Sequence, residues 1–171
     1  MNCRPALRPS PLAAFGAVLL LASCTTAGAD GPGTADVRTS HWGKDMGAPE
    51  SSAFMKVTVP GSAAEVRGAV QINPQEDVYL LSFVTDEKTA VRVAEDLRPE
   101  KPLRTNSQGL PSSTELFGHL GLTEPQSEKG VRWAGVCPSC VGDNRRSEVQ
   151  WIEIHVLELD AEKTRVYMQA F

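Results

Sequence analysis

Residues 149–157 read VQWIEIHVL and residues 164–171 read TRVYMQAF, with the polar run Asp160-Ala161-Glu162-Lys163 between them. In the first stretch Gln150, Ile152, Ile154 and Val156 fall on one side of an extended chain. Val149, Trp151, Glu153, His155 and Leu157 fall on the other. The period of two is that of a β-strand, and the branched residues mark the first side as core. The polar run turns the chain, so residues 164–171 return as an antiparallel hairpin partner. The second side then carries Trp151, Glu153 and His155 beside Arg165, Tyr167 and Gln169. Two readings of it stand open. One is a solvated sheet face with cross-strand polar pairs. The other is a ligand platform with Trp151, Glu153, His155 and Tyr167 as its binding residues.

Working outward, residues 131–136 (VRWAGV) form another short strand, and residues 78–84 (VYLLSFV) give the strongest buried-strand signal of the first half. Residues 54–59 (FMKVTV) are β-rich and stop at Pro60-Gly61. Ser62 and Glu65 have capping-box spacing, which predicts a helical turn before a strand over 66–72. Thr85 is the predicted cap of a helix whose Ala90, Val93, Ala94 and Leu97 share one face, ending before Pro99. A second, short helix is expected over 113–120, with Gly121 as its terminator. The expected fold is therefore α+β: one antiparallel sheet of about five or six strands, covered on one face by one long and one short helix.

Between the strands over 131–136 and 149–157 lies Cys137-Pro138-Ser139-Cys140. Three chemistries fit this spacing. A disulfide would set the shape of the loop, closing too small a ring to remove much chain entropy. A redox pair would need a following helix to lower a thiol pKa, whereas Gly142-Asp143-Asn144 reads as a turn. A zinc site would need a second ligand pair, and His119 and His155 are isolated.

The amino-terminal residues give an address. Arg4 and Arg8 form a basic start, and residues 12–21 (LAAFGAVLLL) an uncharged apolar run. The run is too short to span a bilayer, which takes about 20 residues of helix, and suits an export signal. Leu21-Ala22-Ser23-Cys24 follows at once and resembles the lipobox of bacterial lipoproteins. The resemblance covers residues 1–24. It implies cleavage before Cys24, a diacylglyceryl group on the Cys24 sulfur, and a lipid-anchored place on the extracytoplasmic side of the cell membrane. Two acyl chains hold a protein stably where one does not. The domain that follows loosely resembles small uncharacterised lipoproteins of high-GC Gram-positive bacteria, a resemblance that brings no activity with it.

Residues 1–23 are thus expected to be a signal peptide and residues 24–52 a lipidated, polar tether, rich in Gly, Ala, Thr and Ser. Trp42 within it either docks on the domain or touches the membrane interface. Residues 53–171 are expected to form one domain. Loss of Arg4 and Arg8 leaves 15 basic residues against 21 acidic, a net charge of −6 with histidine neutral. That balance argues against nucleic acid as a partner. The sequence carries no G-x-S-x-G, H-E-x-x-H, phosphate loop or dinucleotide turn, so neither a cofactor nor an enzymatic activity is expected. The expected function is a membrane-anchored, non-enzymatic domain that binds a protein or small ligand. The alternative is an extracytoplasmic thiol–disulfide protein using Cys137 and Cys140.

Overall fold

A computed structural model describes residues 39–105 and 115–171. They form a seven-stranded antiparallel sheet. In chain order the elements are β1 (His41–Gly47), α1 (Ala48–Met55), β2 (Ala64–Ile72), β3 (Val78–Thr85), α2 (Glu87–Asp96), β4 (Arg104–Thr105), β5 (Arg132–Val136), β6 (Ile152–Glu158) and β7 (Thr164–Ala170). Across the sheet the order is β1-β2-β3-β7-β6-β5-β4. The α+β class with a single antiparallel sheet is as expected. The strand count is higher, because β1 and the two-residue β4 come from segments that read as tether and loop.

The hairpin of β6 and β7 stands at the centre, with Ile154 opposite Met168 and Val156 opposite Val166. Alternation sorts the side chains. Leu81, Phe83, Ala134, Ile152, Ile154, Val156, Val166 and Met168 lie on one face, packed with Met55 of α1, with Ala90 and Ala94 of α2 and with Leu97 at its C-cap. α2 forms as its apolar spacing demands, but the cap lies one residue later than expected. Thr85 ends β3, and Asp86 Oδ1 accepts the Thr89 N–H at 2.9 Å.

Both α-helices lie on that one face, and the opposite face carries a second, smaller cluster. The short helix anticipated over 113–120 is a 3-10 turn at Phe117–Leu120, closed by Gly121 at φ 67°. Its proposed cap, Ser113, lies outside the described residues. This turn packs opposite α1 and α2, in a second cluster with Leu80, Leu116, Val131, Leu157 and Tyr167. Fully burying one large apolar side chain is worth about 1.5–3 kcal/mol, so a cluster of this size gives that face its own reason to be covered.

The domain begins well before residue 53. β1 pairs with β2, with His41 opposite Ile72, and Trp42 stacks on His119 with ring centres 3.8 Å apart. Trp42 therefore docks on the domain. α1 starts with Pro49 in its first turn, and the Glu50 carboxylate accepts the Gly47 N–H at 2.7 Å. Phe54 and Met55 end this helix instead of opening a strand: Met55 is buried and Phe54 stacks on Tyr79. The Ser62–Glu65 capping box does not form. Ala64 already pairs with Val84 in β2, and the Glu65 carboxylate reaches across to Arg165 of β7. Residues 1–38, including Cys24, lie outside the described residues. Among the described residues no helix is long and apolar enough to cross a membrane.

Candidate functional site

Of the four residues expected on a binding face, the structure buries two. His155 is 5% exposed and Tyr167 3%. They sit opposite each other on β6 and β7, and Trp133 of β5 lies opposite His155 on its other side. Phe117 meets the Tyr167 ring edge-on at 5.2 Å. Burial pushes the His155 imidazole down to about 4 and the Tyr167 hydroxyl up, so both are neutral near pH 7. Tyr167 belongs to the second core, and His155 is buried opposite it. The alternation that places them opposite Ile154 is sound, but it does not reveal that Leu116 and Phe117 return to pack in one cluster with Tyr167.

Trp151 and Glu153 remain half-buried at the rim. Trp151 lies just before β6, its backbone paired with Phe171 in both directions at 3.1 and 3.2 Å. Its indole covers Gly135 of β5: a Cβ there would fall 2.8 Å from Cη2 and closer still to Cζ2, so this place requires glycine. Burial raises the Glu153 carboxyl above its ordinary value, against a smaller opposing effect of the neighbouring Trp151 indole. Beside it, the Arg104 guanidinium stands 4.7 Å above the Trp133 ring. Trp133, Trp151, Gly135, Arg104, Lys101 and Glu100 enclose a cleft of about 140 Å³. Lys101 and Arg104 are exposed. Neither cation is signalled by any motif; they lie in what reads as a loop.

The cysteine loop carries a disulfide between Cys137 and Cys140. Cys140 and Ser139 are exposed, Pro138 is buried, and the Asp143 N–H donates to the Pro138 carbonyl at 2.9 Å. The loop leads straight into the most extensive polar contact in the described domain. Arg146 is fully buried. Its Nε donates to Met55 O at 2.8 Å, Nη1 to Asp143 Oδ2 at 2.5 Å and Asp96 O at 3.2 Å, and Nη2 to Lys56 O at 3.1 Å and Asp96 Oδ2 at 2.7 Å. One guanidinium thus satisfies carbonyls at the ends of both α1 and α2, which have no partner within their own helices. Its donors are all engaged, so it holds structure and is not poised for a ligand. Nothing in Asn144-Arg145-Arg146 distinguishes it from a solvated basic pair until the fold brings 55, 96 and 143 together.

The residues after the disulfide form a three-residue 3-10 turn (Asn144–Arg146), not a helix long enough to carry a useful dipole. Among the described residues no group of three His, Cys, Asp or Glu side chains could hold a metal. No protein-family model, no curated protein and no solved structure matches this chain.

Proposed function

We propose that this chain is a lipoprotein held on the outer side of a cell membrane by lipid on Cys24, and that its folded domain captures an acidic segment of a partner protein without chemistry of its own. The anchor rests on the apolar run and Leu21-Ala22-Ser23-Cys24. The binding role is carried by the cleft at the β4–β5 end of the sheet, where two half-buried indoles stand beside Lys101 and Arg104, which outnumber Glu100. Aromatic and arginine side chains in a partly desolvated pocket are the usual anchors of protein recognition. A cleft of this size admits one side chain. A glutamate fits it, with its stem on the indoles and its carboxylate on the two cations.

Two variants test the two halves of this reading. Cys24→Ala should leave the chain uncleaved or unlipidated; correctly cleaved protein that still partitions with membranes would refute the anchor. The double variant Lys101→Glu, Arg104→Glu should bind a glutamate-rich peptide at least about tenfold more weakly, a change of about 1.4 kcal/mol. Both side chains are exposed, so the melting temperature should fall by no more than the loss of the Arg104–Trp133 contact allows, about 0.5–1 kcal/mol. Equal affinity in the variant would remove the cleft from consideration.

One observation favours a second reading, thiol–disulfide exchange. Cys140 is open to attack, and the Cys137 sulfur already accepts the Cys140 N–H at 3.3 Å, a contact that would favour its departure as a thiolate. Catalysis of insulin reduction by the chain would put this reading first.

A further inference from the structure

We infer that a second cleft, on the helix side of the sheet, binds a small organic anion: a phosphate or carboxylate carrying an apolar group. The cleft encloses about 380 Å³, within the range of small-molecule sites. One wall is a single stripe of α2. Thr89, Arg92, Val93 and Asp96 follow at helical spacing, beside the stripe that enters the core. The other wall is the irregular chain after α1, including Lys56, Val57 and Pro60. Arg145, from the turn that follows the cysteine loop, closes one end.

The charges do not balance. Asp96 is the cleft's carboxylate, and it is engaged by Arg146 at 2.7 Å and Arg145 at 3.3 Å. Asp143 is likewise held between Arg145 and Arg146. Arg92 has Asp86 in its electrostatic neighbourhood and donates to Thr89 Oγ1 at 2.7 Å. Lys56 and Arg92 make no ion pair among the described residues. The cleft is therefore locally cationic on a chain whose formal charge is −4. Val57, Val93 and Pro60 supply apolar contact beside those cations.

The backbone at Lys56 is an independent pointer. This residue caps α1 in the left-handed conformation, φ 52° and ψ 43°, a place that favours glycine. A lysine held there at a cost in backbone strain, lining a cleft, is the pattern of a residue retained for what its side chain does. The rival explanation is structural: a cation at a helix C-terminus is itself favourable. The two differ in what Lys56→Gly should do. A ligand residue would be lost while the strain is relieved.

The test is titration of the full chain with phenyl phosphate, benzoate and phenol, followed by amide chemical shifts, together with melting temperatures of Lys56→Gly and Arg92→Gln. Phenyl phosphate or benzoate should move the amides of Lys56, Val57, Arg92 and Val93, with phenol at least tenfold weaker. Whichever anion binds more tightly identifies the headgroup. Lys56→Gly should weaken binding at least tenfold at an unchanged or higher melting temperature, and Arg92→Gln should weaken it similarly. The inference fails if neither anion moves these amides, if both variants bind as the parent does, or if Lys56→Gly lowers the melting temperature and leaves affinity intact. Shifts confined to Lys101, Arg104 and Trp133 would also overturn it, and would assign the anion to the indole cleft instead.

Discussion

Arg146→Met should cost the fold about 3–5 kcal/mol, the range for breaking a buried ion pair from one side. Urea unfolding would read this as a fall in the midpoint. Methionine fills much of the space but provides no donors. The carbonyls of Met55, Lys56 and Asp96 would lose partners, and the Asp143 carboxylate would keep only Arg145. Arg145→Gln is the control. That side chain is 52% exposed but also pairs with the buried Asp143, so its loss should fall between the about 0–1 kcal/mol of an exposed pair and the cost at Arg146. Losses of similar size in the two variants would show that burial does not set the worth of Arg146. Acid supplies a second readout. Burial pushes the Asp143 carboxyl up, but hydrogen bonds from Arg145 and Arg146 outweigh it and hold the group at about 2. Its folded value lies below the unfolded one, so its contribution is complete above about pH 4 and is lost as pH falls towards 2. In Arg146→Met this acid limb should shift to higher pH.

How far the fold was legible follows from which residues carry a local signal. VYLLSFV over 78–84 and the alternating 149–157 stretch are strands by period alone, and Ala90, Ala94 and Leu97 declare α2. β1 and α1 carry almost none. Their apolar content is Trp42, Met46, Phe54 and Met55, scattered among glycine, serine and alanine. Their order comes from strand pairing to β2 and from contacts such as Ser51 Oγ to Ala69 O at 3.2 Å. Such segments fold because tertiary contacts outweigh weak local preference. Glu65 shows the same contest lost by a local motif: its spacing from Ser62 fits a capping box, but its carboxylate serves Arg165. The candidate sites were half visible. Trp151 stands where alternation put it. Arg104, Lys101 and the Lys56 cleft depend on chain returns that no periodicity encodes.

The second core makes its own demand on pH, carried by His155. A neutral imidazole between Trp133 and Tyr167 is held at about 4, against an ordinary value of 6.5. Between those values the unfolded chain binds a proton that the folded chain refuses. Stability therefore rises with pH across this window: His155 exacts nothing above about pH 6.5 and a growing penalty as pH falls towards 4. At about 1.36 kcal/mol per unit of pKa difference, the full effect is on the order of 3 kcal/mol. Glu153 works in the opposite sense. Burial raises its carboxyl, so it destabilises the fold when ionised, and that penalty is relieved as pH falls. The raw curve mixes these groups with others, among them Glu124, whose carboxyl burial also raises, and the comparison with His155→Gln isolates the imidazole. The parent should lose stability from pH 7 to 4.5, while the variant should be flat or gain slightly as Glu153 takes up its proton. Urea midpoints at half-unit pH steps would measure both. A parent curve that is flat across this range would mean that the imidazole ionises in place, in spite of its burial between Trp133 and Tyr167. Asp143 acts below about pH 4 alongside the lowered carboxyls of Asp96, Glu50 and Asp86, so the acid sensitivity that His155→Gln removes reports on His155, and the sensitivity that Arg146→Met shifts reports on the Arg146 anchor.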